Sequence, residues 1–157
     1  MSALAEHAGV AAGTAYVHYA SKDELIIATY AEVKSDLAVA AMSVVEPAGT
    51  LDDRFLQIWH NAYRHLASDP ARARFIVQVE ASPYADAAHR RALEQNDPFV
   101  AASQEMRAHT VDLPLLVVWD LGFGPAIRLA ANPERDLDET GLDTLARACL
   151  RAVKRPD

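Results

Sequence analysis

Between Ala5 and Leu25 the chain carries Thr14, Tyr16, His18 and Lys22, four hydrogen-bonding side chains within nine residues. The residues around them set out a short structural grammar. Gly9 falls just past a helical stretch, where a left-handed residue closes a tight turn at no steric cost. Val10 then plugs the angle between two helices. A helix end, a Gly turn, a short second helix and a capped third make a helix-turn-helix, whose second helix is offered to the DNA major groove. The chemistry on offer is recognition rather than bond-making.

Elsewhere the reactive residue types are badly spaced for catalysis. His60 and His65 are five apart, so a helix does not stack them as a metal-binding pair; His89 and Glu94 share that defect. No Gly-rich phosphate loop follows a strand, because no strand is expected. Cys149 lies on an apolar helical stripe and reads as core rather than nucleophile. No catalytic residue, cofactor or metal is therefore assigned, and an enzyme on a helical bundle is the weakest of three readings.

The run Ala8-Gly9-Val10, then Gly13-Thr14-x-Tyr16-x-His18-Tyr19, then Ser21-Lys22-x-Glu24-Leu25 resembles the DNA-binding signature of tetracycline-repressor-type (TetR family) transcriptional regulators. The resemblance implies roles residue by residue. Thr14, Tyr16 and His18 match positions that face DNA, and Lys22 matches a phosphate-contacting lysine. Val17 matches a variable position that reaches the groove, where an aliphatic side chain meets a thymine methyl. Ala15 and Tyr19 match packing positions. Ala11 and Ala12 depart from the pattern: the family has Ser or a long polar residue there, and their lack of donors weakens a base-specific code.

In the family this string lies further into the chain, after a basic arm and a first helix. Here it starts at Ala5, and the first Lys or Arg is Lys22. Phosphate neutralisation by such residues supplies much of DNA affinity, so operator binding by this chain is expected to be weak or absent. The resemblance further implies an apolar effector cavity among the central helices, lined by Trp59, Tyr63, Phe75, Phe99, Met106 and Trp119. Ordinary core packing explains any single one of these better than a cavity does. It also implies a homodimer through the two C-terminal helices, with Leu115, Val118, Gly122, Leu142, Leu145, Cys149 and Val153 at the interface. A dimer suits a palindromic operator.

The 157 residues are about half apolar, enough for a real core. A net charge of −7 argues against a broad nucleic-acid-coating surface, though not against a small DNA-binding head. A lone cysteine fits a reducing cytoplasm. The first residues have no basic region or sustained apolar run to act as a signal peptide. The longest apolar run, Leu113 to Leu121, is too short to span a bilayer and is broken by Pro114 and Asp120, so no membrane partner is expected.

Ala-rich composition and scarce strand-like alternation predict an all-α chain: a truncated helix-turn-helix head followed by a helical ligand-binding and dimerisation bundle. The head covers residues 1–30 and the bundle 31–157. Short helices are expected over Ser2–His7 and Ala12–Tyr19. Ser21 and Glu24 form a capping box that opens a long helix. Its stripe of Ile26, Tyr30, Val33, Leu37, Ala41 and Val44 carries it to Glu46, before Pro47. Further helices are predicted from Thr50 or Asp52, from Pro70 behind an Asp69 cap, over Asp86–Gln95, toward His109, from Pro114 to Ala131 with a break at Gly122-Gly124-Pro125, and from Asp138 to Lys154.

Two functions from different classes fit this reading best. One is a ligand-responsive repressor that binds operator DNA as a dimer and is released by a small hydrophobic effector, by population shift. The alternative is a helical ligand-binding or dimerisation protein that has lost DNA binding with its N-terminal segment.

Overall fold

Among the described residues seven α-helices follow one another, in the order α1 (Lys22–Met42), α2 (Leu51–Ser68), α3 (Pro70–Glu80), α4 (Ala85–Glu94), α5 (Leu115–Gly122), α6 (Gly124–Ala130) and α7 (Glu139–Val153). The computed structural model describes residues 19–46, 49–94, 106–135 and 137–156. The helices expected over Ser2–His7 and Ala12–Tyr19 fall outside these residues, with Thr14, Tyr16, Val17, His18 and Phe99. Among the described residues there is no strand, and the sole pairing of extended backbone is an isolated bridge between Thr110 and Lys154.

Side chains that compete with the backbone fix where the helices start. Ser21 caps α1 by accepting from Glu24 N–H at 3.1 Å. Glu24 reaches back to Ala20 N–H rather than to the cap itself, at 2.6 Å. Thr50 and Asp53 form a full capping box on α2. Asp69 accepts from Ala71 N–H ahead of Pro70, whose missing donor costs nothing at the first helical position. Asp138 accepts from Gly141 N–H at 2.8 Å to start α7.

The first long helix stops earlier than its apolar stripe suggests. It ends at Met42, not Glu46, and Val44 takes a left-handed φ of 53° with its side chain 93% exposed. The cause lies on α2. Asn61 Nδ2 donates to Ala41 O at 3.2 Å and to Ser43 O at 2.8 Å, and Gln57 accepts from Glu46 N–H at 2.9 Å. Carbonyls at the end of α1 that a longer helix would have satisfied are taken up by a neighbouring helix. A left-handed β-branched residue is strained, and these bonds hold it in place.

Helix α1 packs on α2, α3 and α4, and α2 packs in turn on α6 and α7. One cluster of buried residues joins Tyr30, Leu37, Ala38, Ile58, Leu66, Ile76, Ala88 and Ile127. A second joins Phe55, Trp59, Ala126, Ala146, Cys149 and Val153 under α7. The apolar segment from Pro114 divides into α5 and α6 at Phe123, with Pro125 in the first turn of α6. Gly122 faces this packing, and a Cβ there would make ordinary contacts, 3.4 Å from Val153 and 3.6 Å from the Phe55 ring. The C-terminus is clipped to the lead-in of α5 by Val111 N–H to Val153 O and Arg155 N–H to His109 O.

Candidate functional site

A group of polar side chains interrupts the apolar centre of the bundle. Lys34, on α1, is only 8% exposed, and its Nζ sits 3.7 Å from the centroid of the Trp119 ring on α5. One turn earlier on α1, Tyr30 is fully buried and its hydroxyl donates to Glu80 Oε1, at the end of α3, at 3.2 Å. His89 of α4 places Nε2 3.9 Å from that oxygen, and its ring meets Tyr30 edge-on at 5.6 Å. Four helices thus converge on one buried, charged and aromatic constellation.

Its electrostatics hang together. Burial pushes the Tyr30 phenol well above its ordinary value, and the charges of Glu80 and Asp120 push it the same way, so it stays a neutral donor. Burial opposes ionisation of Glu80. His89, the Lys34 charge and the Tyr30 hydroxyl outweigh that and hold its carboxyl below the usual range. Glu80 is therefore ionised at neutral pH. Lys34 was readable in part from sequence, as a lysine one turn after Tyr30 and three residues before Leu37, within an apolar stripe. Glu80 carried no such signal, since it closes a helix whose partner lies across the bundle.

The described members of the aromatic set expected to line an effector cavity are divided between the two clusters. Trp59 is fully buried in the second, stacked on Tyr63 at 6.0 Å, and donates from Nε1 to Gly122 O at 3.1 Å. Met106 packs against the same cluster, whereas Phe75 and Trp119 pack against the first. Trp119 also stacks on Phe123 at 4.8 Å. Tyr63 additionally lines a half-open cleft of about 200 Å³ with Leu129, Asn132 and Arg135. Phe99 lies outside the described residues.

The residues expected at a dimer interface also separate. Gly122, Cys149 and Val153 are buried in the chain's own packing. Val118, Leu142 and Leu145 are half-buried around them, and Leu115 is exposed. Pattern reading passed over Leu113, Leu116, Val117 and Leu121, which are 40–44% exposed beside Leu115. The apolar face of the α5 region is therefore wider than Leu115, Val118 and Gly122 alone. The remaining sequence candidate, Lys22, is exposed in the first turn of α1. Tyr84, in the α3–α4 corner, ties that turn down by donating to Asp23 at 2.9 Å.

No described helix is long and apolar enough to cross a membrane. Among the described residues no three His, Cys, Asp or Glu side chains are grouped to hold a metal ion. Comparison with known proteins bears on the rest. Residues 1–29 match the family described as bacterial regulatory proteins of the tetR family. Solved structures with the same fold include a putative tetR family transcription regulator from Shewanella sp. PV-4, with a TM-score of 0.76 at 22% identity, covering 97% of this chain and 85% of that one. A TetR-family transcriptional regulator from Haemophilus influenzae aligns at 0.70 and 23% identity, over 96% and 82% of the two chains. One from Marinobacter aquaeolei VT8 aligns at 0.69 and 20%, over 97% and 83%. The chain thus carries that family's sequence over residues 1–29, and its helical body has the fold of these solved TetR-family regulators.

Proposed function

We propose that this protein is a ligand-responsive transcriptional repressor that acts as a homodimer and leaves its operator when a small effector binds the helical body. The observation that carries the reading is the tetR-family match over residues 1–29, directly ahead of a body with the fold of TetR-family regulators. Thr14, Tyr16, Val17 and His18 are the DNA-facing residues in this reading, with Lys22 on a phosphate. The dimer forms through the broad apolar face of α5, where Leu115, Leu116, Val117 and Leu121 are exposed and Val118, Leu142 and Leu145 flank them. That face suits a two-fold partner, which buries the same patch from both sides.

Effector release works by population shift. A ligand that prefers the body geometry unsuited to the operator lowers operator affinity by its differential affinity for the two states. The test is retardation of duplex DNA containing candidate palindromes upstream of the protein's own gene. Retardation by this chain is expected to be weak, and the reading is supported where it is sequence-specific, salt-sensitive and reduced further by Tyr16→Ala or Lys22→Ala. Retardation indifferent to sequence and to both substitutions would reject the repressor reading.

A further inference from the structure

We propose that the constellation around Trp119 is a binding site for an organic cation, an alkylammonium headgroup that takes the place now held by Lys34 Nζ. The proposal rests on the reading that the helical body binds an effector, and it names that effector's chemistry. The ring face of an indole attracts a cation most strongly where water is excluded. Here that face is occupied by the chain's own ammonium, 3.7 Å from the ring centroid on a residue 8% exposed.

Charge balance selects the sign of the ligand. The charges acting within the group are the carboxylates of Glu80 and Asp120 against the ammonium of Lys34 and, when it is protonated, the His89 imidazole at the solvent edge. Tyr30 stays protonated, and its hydroxyl is committed to Glu80. An incoming anion would face two carboxylates, whereas an incoming cation meets Glu80 and the Trp119 face together. The side chains of Glu80 and His89 are about a fifth exposed, so the edge of the group reaches solvent.

Lysine is a suitable occupant to displace. Its ammonium is strongly hydrated and rides on a flexible four-carbon stem, so it can swing to water and leave its stem on apolar surface. An alkylated ammonium is less hydrated and suits the desolvated ring face better. Displacement acts directly on α1, because Lys34 lies one turn beyond Tyr30 on the helix whose first two turns belong to the matched N-terminal segment.

The test uses the full chain without DNA, so the result is independent of operator binding. Choline is titrated in parallel with its uncharged isostere 3,3-dimethylbutan-1-ol and with butyrate, followed by tryptophan fluorescence and by calorimetry. The expected result is saturable choline binding at least about tenfold tighter than either control. Glu80→Gln should weaken choline about tenfold, and Lys34→Met, which vacates the ring face, should tighten it by a similar factor. Lys34→Gln replaces Lys34→Met if the latter fails to melt cooperatively. The proposal is overturned if choline gives neither quenching nor heat at millimolar concentration, if the isostere or butyrate binds as tightly, or if the cooperatively melting lysine substitution weakens choline.

Discussion

Replacing Trp59 by Phe separates a hydrogen bond from the packing around it. Trp59 has no exposed surface, and its Nε1 donates to the carbonyl of Gly122, the last residue of α5. Phenylalanine keeps an aromatic ring against Phe55, Ala126, Ala146 and Cys149 but strands that carbonyl where water does not reach it. A buried acceptor left without its donor costs about 1–3 kcal/mol. The smaller ring adds roughly 1 kcal/mol for the space it leaves. The expected loss is about 2–4 kcal/mol, a large share of the 5–15 kcal/mol typical of a domain. It should appear as a drop in Tm of roughly 5–15 °C for a chain of this size. Urea unfolding followed by circular dichroism gives the free energy, and the m-value checks that the unfolded state is unchanged. A loss under about 0.5 kcal/mol would refute the assignment of Trp59 as the brace between α2 and the end of α5.

Leu116→Lys and Leu121→Lys should yield monomers by light scattering while the melting temperature of the chain's own fold is preserved, since both side chains are over a third exposed within it; Val153→Asp should unfold the protein instead, because it buries an unpaired charge. A wild-type mass of one chain at tens of micromolar would sink the dimer. Asn61→Ala removes two bonds that close the end of α1 and should cost about 1–2 kcal/mol, with faster amide exchange at Ser43 to Glu46 and little change elsewhere. Stability should fall as pH drops below 6.5. Burial, with the nearby Arg64 and Arg72 charges, holds the His60 and His65 imidazoles below 6.5 in the fold, so the unfolded chain takes up protons first. Their contribution is full above that value and is lost as pH falls toward the folded values. Glu80, also held low, extends the loss below 4.5. A urea midpoint that is flat between about pH 7.5 and 5 would contradict this.

Helix starts were legible in the sequence because a cap is a local device. Ser21, Thr50, Asp69 and Asp138 each accept from a backbone N–H two or three residues on, and nothing distant is needed. The end of α1 was not legible, because Asn61 and Gln57 decide it from the next helix. The stripe on α1 was read too narrowly for a similar reason. Ala31 and Ala38 are buried off the predicted line, since α1 is enclosed by three helices and buries more than one face. On α7 the apolar positions were found, but their direction was not. Val153 and Cys149 pack inward with Phe55 and Trp59, and exposed apolar surface lies at Leu116, Val117 and Leu121. Pairing Lys34 with Trp119 and Glu80 needed the closed bundle, for these residues come from three helices far apart in sequence.

Coupling between body and head follows from where α1 is held. Its first turn is fixed by Tyr84 to Asp23 and its middle by Tyr30 to Glu80, so two bonds from one short stretch of α3 and the α3–α4 corner set its attitude. Beyond Tyr30 it is held by Lys34 on Trp119 and, at its end, by Asn61. The first and last of these contacts are exposed or half-exposed and therefore cheap to change, because water replaces a lost partner there. The middle pair is part-buried with Tyr30 itself fully enclosed, and a shift of Glu80 must carry Tyr30 with it or strand a phenol. In the proposed repressor, a ligand engaging Glu80 would move α1 through its middle rather than its ends, with the Tyr84–Asp23 bond setting how far that motion reaches the first turn of α1. Tyr84→Phe isolates that step. It should leave effector affinity unchanged and alter the operator release that a saturating effector produces, and equal release in both proteins would place the coupling elsewhere.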